Sequence, residues 1–407
     1  MLIGFCIVGY IIPTFILDFS FFADQNILDL FIKINIIGTF FFVAGLFLGY
    51  KWQQVPIVDS VMKFSRIEQS LDIDYFETKI LKVSTRIFII SLTVMWLCFL
   101  FMGFIPMFAS DPYAAKQFKG VYQQNYQHVA LFYRTANQFV SLLLPFLVLD
   151  IYTNKSTKSI ILVTIAVVTI FITMSRGAAV SGLLIATSII VSLRSGRFTF
   201  IGYIVLVIVI FSLGSGLWTI LALVFPNSAF GQIGDNQTVD MLQSIASGAP
   251  DLTDQLGLLS AFVNNHIDYT YGITFFGGLI PFNFKWNPSV WSLTVLNQNN
   301  DISEISSGGL RVTIPLWGYF SFGWVGVGVI PFISAFFTGY ITKRIKNITH
   351  KLKANFKGYI IFYFLLFAYY NIALVFTNFF NLSIYSLPAF VFYTYVFYRK
   401  KEKVVVI

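Results

Sequence analysis

Three arginines in this sequence have neighbours suited to anion chemistry. Arg176 lies in Ser175-Arg176-Gly177, Arg311 follows Ser306-Ser307-Gly308-Gly309-Leu310, and Arg134 lies in Tyr133-Arg134-Thr135. A guanidinium keeps its charge when desolvated and offers parallel donors that match phosphate oxygens. Small flanking residues let a phosphate approach the backbone, and glycines before a helix allow N–H groups to face an anion. Lys285 is a fourth cation of this kind, with Lys116 and Lys119 weaker ones. The plain alternatives are a helix-end arginine snorkelling to the interface for Arg176 and a flexible hinge for Arg311. General-base candidates are His266 and Asp268 in Asn264-Asn265-His266-Ile267-Asp268-Tyr269, and Asp301 and Glu304 beyond them. A histidine there takes a proton from a hydroxyl at neutral pH, and each of these residues could equally be a solvated loop residue. Asp18 and Asp24 flank an early turn and stay in the set.

Several chemistries find no support. There is no Walker A, G-x-G-x-x-G or G-x-S-x-G motif. His128 and His266 are far apart, and Cys6 and Cys98 both lie in apolar runs, so neither a metal centre nor another cofactor is expected. Asp72-Ile73-Asp74 has a D-x-D pattern, a weak metal signal alone.

The elements that position these residues must be membrane helices. Only 11% of the 407 residues are charged, 57% are hydrophobic, and the mean hydropathy is +0.76. Soluble domains carry about 25% charged residues, so lipid must solvate most of this chain. Runs of about 20 apolar residues predict ten spans, near 2–18, 28–50, 87–108, 132–152, 159–175, 177–193, 198–225, 315–342, 358–378 and 383–398. The fold class is an all-α polytopic bundle in three parts: 1–225, an outer loop over 226–314, and 315–407. With the N-terminus inside, 20 of the 27 lysines and arginines fall on cytoplasmic segments and 6 outside, Lys33 lying within the second span. That bias fixes the orientation and accounts for the +9 net charge without nucleic acid. Both termini are then cytoplasmic.

Two stretches lie outside the spans. Val58, Val61, Met62, Ile67, Leu71, Ile80 and Leu81 recur at helical spacing within 51–86 and predict an interfacial amphipathic helix. In the outer loop, 251–264 reads as a short helix, and Tyr269, Tyr271, Phe275, Phe276, Phe282, Phe284, Trp286 and Trp291 predict a segment at the membrane interface. Neither internal repeats nor broken spans are expected.

The layout resembles the Wzy-type O-antigen polymerases, the bacterial oligosaccharide repeat-unit polymerases. Gly103-Phe104-Ile105-Pro106-Met107-Phe108 is similar to the passage that ends a span in that family. Ser175-Arg176-Gly177 is similar to its S-R-G turn, and Gly309-Leu310-Arg311 through Gly323-Trp324-Val325-Gly326 to its loop-to-span passage. Phe282 stands where many relatives carry an arginine, with Lys285 nearby, and Trp317-Gly318 stands where a glutamate is common. The resemblance implies a polymerase at the outer face of a bacterial plasma membrane. Its substrates would be undecaprenyl-diphosphate-linked glycans, and its partners membrane lipids and a chain-length regulator protein. Arg176, Arg311, Arg134 and Lys285 would bind diphosphate, and His266, Asp268 or Glu304 would serve as base. An O-antigen ligase, a flippase or transporter of lipid-linked glycans, and a scaffold are the alternatives.

Reporter fusions test the topology. Fusions after Lys158, Arg197 and Lys353 should report cytoplasm, and fusions within 231–301 the outside; an external signal at Lys353 contradicts the ten-span arrangement.

Overall fold

The structure, a computed structural model, describes residues 23–62, 73–173, 252–277, 284–298 and 312–351, together with 279, 310 and 391. Every regular element among them is helical. In chain order these are α1 (Gln25–Lys51), α2 (Pro56–Met62), α3 (Ile73–Met102), α4 (Pro112–Gln117), α5 (Val121–Gln127), α6 (Ala130–Asn154), α7 (Thr157–Ile172), α8 (Leu252–Asn264), α9 (Ile273–Phe276), α10 (Pro288–Asn297) and α11 (Ile314–Lys351), with 3₁₀ turns at Pro106–Phe108 and Phe284–Trp286. Among the described residues, four stretches are long and apolar enough to cross a membrane: Gln25–Lys51, Ile80–Phe108, Ala130–Asn154 and Ile314–Asn347. They correspond to the predicted spans at 28–50, 87–108, 132–152 and 315–342. The span predicted at 159–175 is the 16-residue α7. Those at 2–18, 177–193, 198–225, 358–378 and 383–398 lie outside the described residues.

One expectation changes. Among the described residues of the stretch 51–86, α2 is a seven-residue helix, and from Ile73 the chain already belongs to the 30-residue α3; residues 63–72 lie outside the described ones. The apolar periodicity read as interfacial continues into a span, because a helix that packs on neighbours along one side shows the same pattern.

Helices α3, α6 and α7 form an antiparallel group. Phe99, late in α3, packs near Tyr133, early in α6, and Trp96 donates to Thr169 of α7 at 3.1 Å. The α6–α7 turn is set by Lys155 in the left-handed region and by Ser156, whose hydroxyl accepts from Ser159 N–H. Asp150, nearly buried, accepts from Asn154 at 2.7 Å and from the Ser159 hydroxyl, which closes the hairpin. Gly103, at φ 73, ends α3, and the Pro106 turn redirects the chain.

Helices α1 and α11 pack differently, in parallel and backbone to backbone. A Cβ on Gly45 would strike the Phe332 carbonyl oxygen, one on Gly49 that of Phe336, and one on Gly339 that of Leu46. Gly45 and Gly49 form a G-x-x-x-G face, the arrangement that lets membrane helices approach closely where no hydrophobic drive acts between them. The basic ends of both helices meet. Tyr340, fully buried, donates to the Asp59 carboxylate at 2.7 Å and accepts from Val55 N–H at 2.9 Å. Arg344 pairs with Asp59 at 3.0 Å and donates to the Gln53 carbonyl at 3.3 Å. Lys343 reaches the Trp52 carbonyl at 3.4 Å.

The helix contact predicts its own weak points. Gly45→Leu and Gly49→Leu have no room and should destabilise the protein by about 1–3 kcal/mol or more, read as a lowered thermal midpoint in detergent. Gly103→Ala, with open space around it, should lose only the smaller conformational term of a positive-φ site.

Candidate functional site

Helix α11 is not continuous. Phe322 (φ −142, ψ 19) and Gly323 (φ 61, ψ −144) leave helical geometry. The eight residues before the break fold against the helical stretch beyond it, so that Gly318 and Gly326 touch backbone to backbone. A broken helix frees carbonyls that apolar surroundings cannot satisfy. Here the loop after α8 supplies the donors: Thr270 N–H binds the Phe320 carbonyl at 2.9 Å, and Tyr271 N–H the Ser321 carbonyl at 3.0 Å. Beneath these bonds the hydroxyls of Thr270, Ser321 and Thr274 form a buried chain with separations of 3.3 Å. The break itself contradicts the sequence expectation of unbroken spans. Its only sequence signal is the glycine density of Gly318, Gly323, Gly326 and Gly328.

The docked loop is a tight structure. After α8, His266 (φ 50), Tyr271 (φ 48) and Gly272 (φ 79) all adopt the left-handed region, and Gly323 across from them also has a positive φ. Non-glycine residues held there cost on the order of 1–3 kcal/mol each and cluster where surrounding structure imposes them. Aromatic packing does the imposing. Tyr269 meets Tyr319 edge-on with ring centroids 6.2 Å apart, Phe262 packs on Phe320 at 4.9 Å, and Trp291 of α10 lies 5.5 Å from Trp317. Leu252, Leu256, Leu259, Leu316 and Phe31 complete this core, which joins α1, α8, α10 and the first part of α11.

His266 and Asp268 therefore ride on a turn whose backbone is tied to the broken helix. Both side chains are exposed, as a group that must meet a substrate hydroxyl requires. Lys285 is also exposed, its ammonium 5.4 Å from the Trp286 ring centroid. Asp24 precedes α1 and is exposed. Arg176, Arg311, Glu304, Asp301 and Asp18 lie outside the described residues. Among the described residues, no three His, Cys, Asp or Glu side chains gather in a way that could hold a metal ion.

Arg134 belongs to a different part of the molecule. Its Nε donates to the Tyr126 hydroxyl, and its guanidinium lies 5.6 Å from that ring's centroid. Phe118 stacks on Tyr126 at 3.8 Å, which brings Lys119 into the same neighbourhood; burial lowers the Lys119 ammonium below its ordinary pKa. Tyr133 is hydrogen-bonded to Thr173, three residues before Arg176 in the chain. The structure thus brings His266 and Asp268 together on one loop and sets Arg134 in a separate aromatic cluster. Sequence reasoning missed Thr270, and it read Tyr269 only as an interfacial aromatic and Tyr319, Ser321 and Gly323 only as part of a span passage; their contacts join chain segments some 50 positions apart.

The chain matches no model of a known protein family, no curated protein and no solved structure.

Gly323 tests the docking of the loop. At φ 61, with the Tyr269 hydroxyl 3.1 Å from where a Cβ would be, Gly323→Val should cost about 1–3 kcal/mol and raise protease cleavage between residues 265 and 272. A loop as protected as in the unmodified protein would contradict the arrangement.

Proposed function

We propose that the chain is a membrane glycosyltransferase that polymerises undecaprenyl-diphosphate-linked oligosaccharide repeat units at the outer face of a bacterial plasma membrane. The observation that carries this reading is the turn bearing His266 and Asp268, strained and fixed by backbone bonds to a broken membrane-length helix, with both side chains open. A rigid, exposed acid–base pair at the end of a span suits substrates that are themselves half in lipid. In the reaction, the hydroxyl of a new lipid-linked unit attacks the anomeric carbon of the growing chain. The bond from that carbon to the diphosphate oxygen breaks, the diphosphate leaves as an anion, and His266 or Asp268 takes the hydroxyl proton. Glu304 is a further candidate base. Arg176 and Arg311, with Arg134 and Lys285, stabilise the departing diphosphate. The donor already carries its leaving group, so neither ATP nor a nucleotide sugar is required. The ten-span topology with cytoplasmic termini belongs to the same reading. It is supported by the parallel run of α1 and α11 with their basic ends together.

A second reading has its own observation. Transporters bind substrates where helices are discontinuous, and α11 is discontinuous. The break favours a flippase if substrate moves without chemistry. An O-antigen ligase shares the chemistry and differs in its acceptor.

The arginines decide between these. Arg176→Ala and Arg311→Ala should each lower the polymerisation rate about 10²–10³-fold, the usual cost of removing a group that stabilises a developing anion, with the protein still inserted. Lysine at either site should restore only part, since it offers a point charge, and Lys346→Ala should leave chain length unchanged. Wild-type chain lengths at wild-type rates in both alanine variants, assayed with purified protein and lipid-linked repeat units, would refute the assignment.

A further inference from the structure

The start of α11 has more hydrogen-bond donors than acceptors. Thr313 is its N-cap: the Thr313 carbonyl accepts the first helical bond, from Trp317 N–H, at 3.0 Å. The next N–H groups, at Ile314 and Leu316, are among those that a helix cannot satisfy from within. Pro315 between them has none. Gln255 of α8 reaches this end. Its Oε1 accepts from Thr313 N–H at 3.4 Å, long against the usual range for such bonds. That contact fixes the amide's orientation, since the reverse would set two donors face to face. Gln255 is fully buried and Thr313 is 8% exposed. Neither Gln255 Nε2 nor Thr313 Oγ1 has a hydrogen-bond partner among the described residues. Buried donors without partners are uncommon and ask for an explanation. Here two of them meet the positive end of a helix, two residues beyond Arg311 in the sequence.

We infer that Gln255, Thr313 and the N-terminal turn of α11 form a phosphate subsite, filled when Thr313 draws back from its long contact with Gln255. The anion's oxygens accept from Gln255 Nε2, Thr313 Oγ1 and the free N–H groups of the turn, where the helix dipole favours negative charge. Naming its ligand as the diphosphate of a polyprenyl lipid rests on the polymerase reading; the shared chemistry is the phosphate. No side chain in this set carries a negative charge. The site also explains why α8, the helix that leads directly into His266, brings a buried and unpartnered amide to the start of α11.

The test uses full-length protein in lipid nanodiscs, with undecaprenyl diphosphate and inorganic diphosphate as probes. Thr313→Val should weaken undecaprenyl diphosphate at least tenfold, and Thr313→Ser should bind nearly as wild type. Gln255→Met should weaken it similarly. Gln255→Glu, which keeps the oxygen facing Thr313 N–H but replaces the donor by an anion, should weaken it more. A purely structural role predicts the opposite for Thr313→Val, because burying an unpartnered hydroxyl costs stability that valine would recover. Affinities within twofold of wild type in the Val and Met variants overturn the subsite, as does wild-type protein that binds neither probe. If Gln255→Met does not fold, the Thr313 pair decides. Inorganic diphosphate that binds as tightly as the lipid supports the phosphate subsite and overturns its lipid ligand. Polymerisation assays run alongside separate the two ideas: variants that lose diphosphate while wild type makes no chains support the subsite and sink the polymerase reading. Chains of normal length from variants with unchanged affinity do the reverse.

Discussion

A peptide carbonyl without a donor is among the costliest things an apolar region can contain, and the break at Phe322–Gly323 makes two of them. Everything at this end of the structure depends on where their donors come from. Water cannot serve inside hydrocarbon, and the N–H groups within the neighbouring helices are taken by those helices' own carbonyls. The irregular backbone after α8 has donors to give, and Thr270 and Tyr271 give them. The loop must therefore turn sharply enough to present two consecutive N–H groups, which is what the left-handed residues at 266, 271 and 272 accomplish. The strained loop and the broken helix are tied to each other through these two bonds.

The end where α1 and α11 finish together is governed by contact rather than by vacancy. With glycines at 45, 49 and 339, α1 and α11 approach until backbone meets backbone, and many small dispersion contacts replace the hydrophobic drive that lipid denies them. Charged groups then secure the end of the pair. The Asp59 carboxylate is shared by a tyrosine and an arginine, so the half-buried pair keeps its partners on every side. Hydroxyls within the spans obey the same rule locally: Thr85, Thr93, Thr338 and Thr342 each donate to the carbonyl four residues earlier.

How much of this was legible in the sequence depends on the range of the interaction. Spans α1, α3, α6 and α11 were readable to within a few residues, except that α3 begins far earlier, because hydropathy is a local sum. The 251–264 helix was readable from caps and periodicity, and α8 occupies 252–264. The candidate bases were visible as residue types, yet nothing local marks His266 as the start of a left-handed turn. The break was not foreseen. A run of glycines in a span has two meanings, tight packing or discontinuity, and α11 uses both: Gly339 packs, Gly323 bends, and Gly318 and Gly326 meet across the bend. Only the partner segment, some 50 positions away, separates these meanings.

The break also moves a border. By hydropathy, the long loop ends and the last quarter of the chain begins near residue 314. Mechanically the division falls eight residues later. The first part of α11 buries Leu316, Trp317 and Phe320 in the core it shares with α1, α8 and α10 and is bonded through its last carbonyls to the loop, while the remainder packs along α1. In an exchange of loop segments between related chains, whether by recombination or by design, the graft that carries its own foundations would include the residues up to Ser321 and would be joined at Gly323, inside what a hydropathy plot draws as a single span.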